Sequence, residues 1–199
     1  MAESTERTPA KSLHITQPEM QARVSRFQEL KPLPVQSAQD VPQAARDVVY
    51  ARELLSVIGL DGSRKTAINT AAPIVGAGGM TMTIARCPPG QGPGLHIHKD
   101  TYETFTVLEG QFEVSWNEGG QNTMVLERFD TISLPPKVYR AFRNVGTTEG
   151  LLQVIITGGV HDMNDIAFAF HEGERLDAIA PEARKTFEEL GFRFQGGAL

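Results

Sequence analysis

The sequence is short of several things, and each shortage closes off a class of function. It has a single cysteine, Cys87, among 199 residues, so no disulfide can form within the chain, as befits a reducing compartment. No segment approaches the roughly 18 consecutive apolar residues of a membrane span. The opening, MAESTERTPAKSLHITQPEM, has no apolar run and does not read as a secretory signal. Basic residues are outnumbered, 19 against 24 acidic, for a net charge of −5. A phosphate-binding face needs the opposite balance. These absences point to a cytoplasmic protein that contacts neither membrane nor nucleic acid. No internal repeat is visible.

What is present divides the chain into three parts. Residues 1–66 read as an N-terminal extension with a polar, disordered start and one or two short helices. Pro18 to Leu30 can form one, with Met20, Val24, Phe27 and Leu30 on a face. Asp40 can cap a second over PQAARDVVYARELL, with Ala45, Val48, Val49 and Leu55 on its apolar side. Residues 67–159 change rhythm. Short β-rich runs alternate with Gly/Pro turns: MTMTIARC, GLHIH, ETFTVLEG, QFEVSW, NTMVLE, DTISL, VYRAFRNV and LLQVIITGG. Seven or eight such strands suggest an all-β sandwich or barrel. LEGQ at Gly110 and NEGGQ at Gly119 read as hairpin turns. Residues 160–199 form a C-terminal extension with a helix, started near Pro181 and stopped by Gly191.

The chemistry concentrates in GLHIHKDTYE, Gly94 to Glu103. Residues two apart on a strand share a face, so His96 and His98 project together. Glu103 shares its parity with Phe105 and Val107. If its strand folds back beside the first, two imidazoles and a carboxylate meet. Such a set, with positions left open, suits iron(II), zinc, nickel or manganese. On its own an HxH more often belongs to a solvated strand face. Here Gly90 precedes His96 by six residues and Gly110 follows Glu103 by seven, giving G-x5-H-x-H-x4-E-x6-G without a break.

That frame resembles the first motif of the cupin superfamily. FDTISLPPKVYRAFRN, Phe129 to Asn144, resembles the second, G-x5-P-x-G-x2-H-x3-N. Pro135 and Asn144 match it; Phe129 and Lys137 stand in place of the glycines, and Arg140 in place of the histidine. The resemblance covers about Gly76 to Gly159. It implies an antiparallel jelly-roll β-barrel, here with short helical extensions at both ends. It also implies one divalent metal ion held by His96, His98 and Glu103, without the family's fourth ligand.

Arg140 leaves two readings open. An arginine stays cationic and cannot ligate a metal. A dication about 6 Å away would be repelled by roughly 5 kcal/mol at an effective dielectric near 20. In one reading metal is lost, Arg140 pairs with Glu103, and the protein binds a small molecule without turnover. In the other the guanidinium reaches past the metal and grips a substrate anion. The second is favoured, because it explains why the first motif is intact. The function expected is then a metal-dependent small-molecule enzyme, oxygenase-like, acting on a small carboxylate or ketone. Arg140 and Tyr102 are the catalytic candidates. His161 and His171 are the only alternative fourth ligands in the tail, and no spacing supports either. Cys87 has no local partner and reads as a small buried apolar residue; Met80, Met82 and Ile84 read as core or cavity lining. A homodimer is expected, through the apolar residues of the extensions.

Overall fold

The computed structural model describes residues 12–37, 40–60, 72–76, 79–158 and 163–195. The boundaries near 67 and 159, His161 and nearly all of the polar start lie outside these residues. The eight alternating runs all form strands. They are β3 (Met80–Cys87), β4 (His96–His98), β5 (Tyr102–Glu109), β6 (Phe112–Trp116), β7 (Asn122–Leu126), β8 (Thr131–Leu134), β9 (Tyr139–Asn144) and β10 (Gly150–Thr157). The extensions add β1 (Glu53–Gly59) and β11 (Ile166–Phe168), and a two-residue strand, β2 (Ile74–Val75), precedes β3 within the middle part.

The strands make two sheets, in the orders β2-β1-β3-β10-β5-β8 and β11-β4-β9-β6-β7. Pairing is antiparallel apart from β1 with β2. This is consistent with a jelly roll, although among the described residues no ladder closes the sheets into a barrel. Side chains from both sheets fill the space between them. Phe105, Val107, Leu152 and Val154 come from one, and Phe112, Val114, Leu126 and Phe142 from the other. The Phe142 ring meets Phe105 and Phe112 edge-on, with centroids 5.1 and 6.1 Å away, a favoured aromatic geometry.

NEGGQ is the β6–β7 hairpin turn. LEGQ is not a hairpin. It carries the chain from β5 in one sheet to β6 in the other. Gly110 takes φ 83° there, and a Cβ on it would lie 3.2 Å from the Gly150 Cα. The crossing thus needs glycine for both conformation and space.

The N-terminal extension departs from its helical reading. α1 spans only Gln17–Gln21, boxed by Thr16 and Glu19. Phe27–Glu29 is a separate 3-10 turn. α2 covers Gln43–Val49 with Pro42, not Asp40, at its cap. The chain leaves it at Tyr50, and Leu54 and Leu55 join β1 instead of prolonging a helix, because β1 pairs along β3 with Leu55 opposite Ile84. Sheet pairing overrides the local helical periodicity. The register also turns Met82 and Ile84 away from the cavity, onto Leu55, Val57, Phe27 and Leu30. Thr81 and Thr83 face the cavity instead.

At the other end, α4 (Ala183–Glu189) starts two residues after Pro181, and Gly191 follows with φ 101°. An unanticipated helix, α3 (Phe170–Ile179), precedes it. α2, α3 and α4 pack with β11 into a second core containing Val48, Tyr50, Phe168, Leu176, Phe187 and Phe192. Two buried glutamines stitch the N-terminal segment to the sheets. Gln36 donates to the Ala51 carbonyl and accepts from the Leu54 N–H, and Gln91 does the same between Tyr50 and Arg52. Among the described residues, no helix is long and apolar enough to cross a membrane.

Candidate metal centre

β4 places His96 and His98 on one face, and both are buried. Glu103 does not arrive from a neighbouring strand, as the sequence suggested. β5 belongs to the opposite sheet, so the carboxylate reaches across the interior. Its Oε2 lies 3.4 Å from the Nε2 of each histidine. One ligand atom from each of the three residues lies within 4.8 Å of the others.

The partners of the histidines fix which nitrogen carries the proton. His96 Nδ1 lies 2.9 Å from the Gly94 carbonyl oxygen. A carbonyl only accepts, so Nδ1 is the N–H. His98 Nδ1 lies 2.8 Å from Thr101 Oγ1 and 3.2 Å from Asp165 Oδ2. Thr101 Oγ1 itself donates to Asp165, so Nδ1 of His98 is also the donor. Both neutral rings then turn the Nε2 lone pair toward Glu103. Three acceptors face one another in a buried space, and without a cation or extra protons between them they repel. Metal-ligating histidines are held in this way, with the distal nitrogen donating to a carbonyl or carboxylate.

Protonation is the competing solution, and at His98 burial opposes it. Burial pushes the His98 pKa down against the pull of Glu103 and Asp165. For Glu103, burial favours the neutral acid, but His98, His96 and Arg140 outweigh it and hold the pKa at about 2. For Asp165, hydrogen bonds from His98, Thr101 and the Asp100 N–H likewise overcome burial, leaving a pKa of about 2. Two carboxylates against the single guanidinium of Arg140 leave one net negative charge when the histidines are neutral. A divalent cation would more than offset it, leaving one net positive charge.

Arg140 sits opposite His96 in the β4–β9 register, fully buried. Its Nε is 3.8 Å from Glu103 Oε2, close enough for an ion pair. Nη2 donates to the Leu134 and Pro135 carbonyls, at 3.3 and 2.7 Å. The side chain therefore bridges the two sheets behind Glu103.

Residues 83–156, from β3 to β10, match the family described as a cupin domain. The chain carries a cupin domain. Among solved structures, the cupin domain of Schizosaccharomyces pombe Cnp3 is 16% identical, over 53% of this chain and 65% of that one, with a TM-score of 0.41. A cupin protein from Bacteroides fragilis is 21% identical, over 43% of this chain and 70% of that one, with a TM-score of 0.38. A predicted oxalate decarboxylase from Thermotoga maritima is 20% identical, over 40% of this chain and 66% of that one, with a TM-score of 0.37. These likenesses concern the fold alone. The chain spans less than two thirds of the Cnp3 structure, 65% of it. No curated protein matches the sequence.

Within the cupin domain, the eroded second motif keeps its backbone. Phe129 and Lys137, where glycines were expected, take φ 74° and 63°, the left-handed conformation that glycine adopts freely. Asn144 is structural: its Nδ2 donates to the Cys87 and Thr148 carbonyls, both at 2.8 Å. Cys87 is inert, since burial pushes its thiol up to about 12.

A cavity of about 120 Å³ adjoins the histidines. His96, His98, Glu103 and Asp165 form its polar side. Much of its apolar wall comes from outside the cupin domain, including Leu33, Val49, Phe168 and Phe192. Arg140 and Tyr102 do not line it, and the Tyr102 ring is about half exposed, at 49%. The structure therefore brings His96, His98 and Glu103 together, sets Arg140 behind them, and leaves Tyr102 and the exposed His171 outside. Sequence reasoning missed Asp165, whose role depends on β11 pairing with β4. It also missed the cavity residue Tyr50.

Proposed function

We propose that the protein is a metal-dependent enzyme, oxygenase-like, that acts on a small carboxylate or ketone in this cavity, with one divalent ion at His96, His98 and Glu103. The observation that supports it is the convergence of three buried lone-pair donors, two of them imidazoles with the proton held on the far nitrogen. A divalent ion held by these three residues would supply Lewis acidity and, as iron(II), redox chemistry toward dioxygen. The chain does the rest. Gly94 and Asp165 hold the imidazoles in their ligating tautomer. Arg140, in place of the second motif's histidine, offers no ligand. The apolar walls exclude water and select a small ligand. The Arg140 guanidinium is turned to the Leu134 and Pro135 carbonyls, away from the cavity, and does not grip the substrate anion.

The test is reconstitution with iron(II) without air, followed by oxygen-uptake measurements with a panel of small acids and ketones. Iron-dependent uptake, abolished in the His96→Ala/His98→Ala variant, is the expected result. A second reading rests on the 3.8 Å approach of Arg140 to Glu103. In it the guanidinium serves as the permanent counter-ion and the cavity binds without turnover. Ligand-dependent thermal shifts with no uptake under any metal would favour that reading.

A further inference from the structure

The cavity wall contains a polar group that the metal centre does not use. Tyr50 ends α2, where its N–H donates to the Arg46 carbonyl and its own carbonyl accepts from Gln91 Nε2, both at 2.8 Å. Its ring meets Phe187 and Phe192 edge-on, with centroids 5.9 and 5.5 Å away. Backbone and ring are thus fixed. The residue is only 3% exposed, and its hydroxyl has no hydrogen-bond partner among the described residues. Buried phenols normally find one, and a missing partner costs stability. Phenylalanine would pack against the same two rings without that cost. Tyr50 nevertheless lines the same cavity as His96, His98 and Glu103.

The rest of the wall narrows what the hydroxyl could meet. Leu33, Val49, Leu54, Val154, Ile156 and Phe168 are apolar, and no lysine or arginine lines the cavity among the described residues. Burial also raises the phenol pKa, so the group stays a neutral donor.

We propose that Tyr50 donates a hydrogen bond to a carbonyl-type oxygen of the bound molecule and so sets its orientation toward the His96–His98–Glu103 cluster. The ligand class is a small, largely apolar ketone or carboxylate. The inference rests on the cavity being the site of the function proposed above. It assigns orientation to the N-terminal extension, outside the matched cupin domain.

The experiment uses full-length wild type and Tyr50→Phe, each loaded with cobalt(II), whose visible absorption reports uptake. Each is titrated with 2-butanone and with propionate, a neutral and an anionic probe of similar shape. Both proteins should take up cobalt equally. The variant should melt at the same temperature or higher, because it loses an unpaired polar group. Its affinity for whichever probe binds wild type should fall about tenfold, which is 1.4 kcal/mol. The better probe tells ketone from carboxylate. Equal affinity in the two proteins overturns the proposal, as does failure of both probes to bind wild type. A markedly lower melting temperature in the variant also overturns it, since the hydroxyl would then have a structural partner. If neither protein takes up cobalt, the metal reading fails separately. The probe-induced thermal shift of the metal-free proteins then decides on Tyr50: its loss in the variant supports the role and its retention refutes it.

Discussion

Two neighbouring parts of the interior are equally buried and built from opposite chemistry. In one, Phe105, Phe112, Val114 and Leu152 make a core of carbon between the sheets. In the other, His96, His98, Glu103, Thr101, Asp165 and Arg140 put charge and hydrogen bonds where water is almost absent. The border falls on one strand face, between Phe142 and Arg140 two residues away. Apolar burial stabilises without conditions. Buried charge is costly unless every member is paired, and here Nε and Nη1 of Arg140 have no hydrogen-bond partner among the described residues, Nε standing only within ion-pair distance of Glu103. A buried region built at that cost is where function is expected.

The comparison can be broken first at the carbon core. Phe105→Ala should destabilise the protein by about 3–5 kcal/mol in urea unfolding, with metal binding by the folded fraction unchanged. A cost under about 1 kcal/mol would mean that the core is not what holds the sheets together.

Arg140→His tests the other side. It removes a repelling charge and offers an imidazole where the family's fourth ligand is expected. Metal affinity in chelator competition should rise roughly a hundredfold, close to 2.7 kcal/mol. An unchanged or lower affinity would mean that Arg140 is part of the site and not an obstacle to it.

Asp165→Asn loosens the hold on His98 and should weaken metal binding about 10- to 100-fold. The native carboxyl is depressed from 3.8 to about 2. Its stabilising contribution is therefore complete above about pH 4 and lost as the pH falls toward 2. In acid titration of the metal-free protein, Asp165→Asn should flatten that window. An unchanged profile would remove Asp165 from the account.

The smallest effect concerns the backbone. Lys137 is exposed and left-handed, and Lys137→Gly should stabilise by about 1 kcal/mol, seen as a higher melting temperature. A lower one would show that the lysine side chain contributes more than the strain costs.

Much of this contrast was legible in the sequence, for reasons particular residues show. Alternation located eight strands, because a strand with one buried face must alternate. The G-x5-H-x-H-x4-E-x6-G frame found all three metal-ligand candidates. What failed was information about partners. Ala45 to Leu55 has helical spacing, yet its end is a strand because β3 lies beside it. Gly110 looked like a hairpin because a tight turn reads the same whether the chain returns to its own sheet or crosses to the other. Met82 and Ile84 are core and not cavity lining: they pack with Leu55 and Val57 on the face of β3 away from the cavity, and parity alone does not say which face meets which. Asp165 and Tyr50 sit in segments with no local chemical signature, and their roles arise only when β11 pairs with β4 and α2 closes over the cavity.

The central claim, that the polar part of the interior is a metal centre, is tested most directly by metal content. Wild type and His96→Ala/His98→Ala are reconstituted with iron(II), manganese, nickel and zinc in turn, freed of loose ions, and assayed by elemental analysis. The account predicts close to one ion per wild-type chain for at least one metal and none in the variant, with both proteins folded. Wild type that stays metal-free with all four, or a variant that binds as well as wild type, would contradict it.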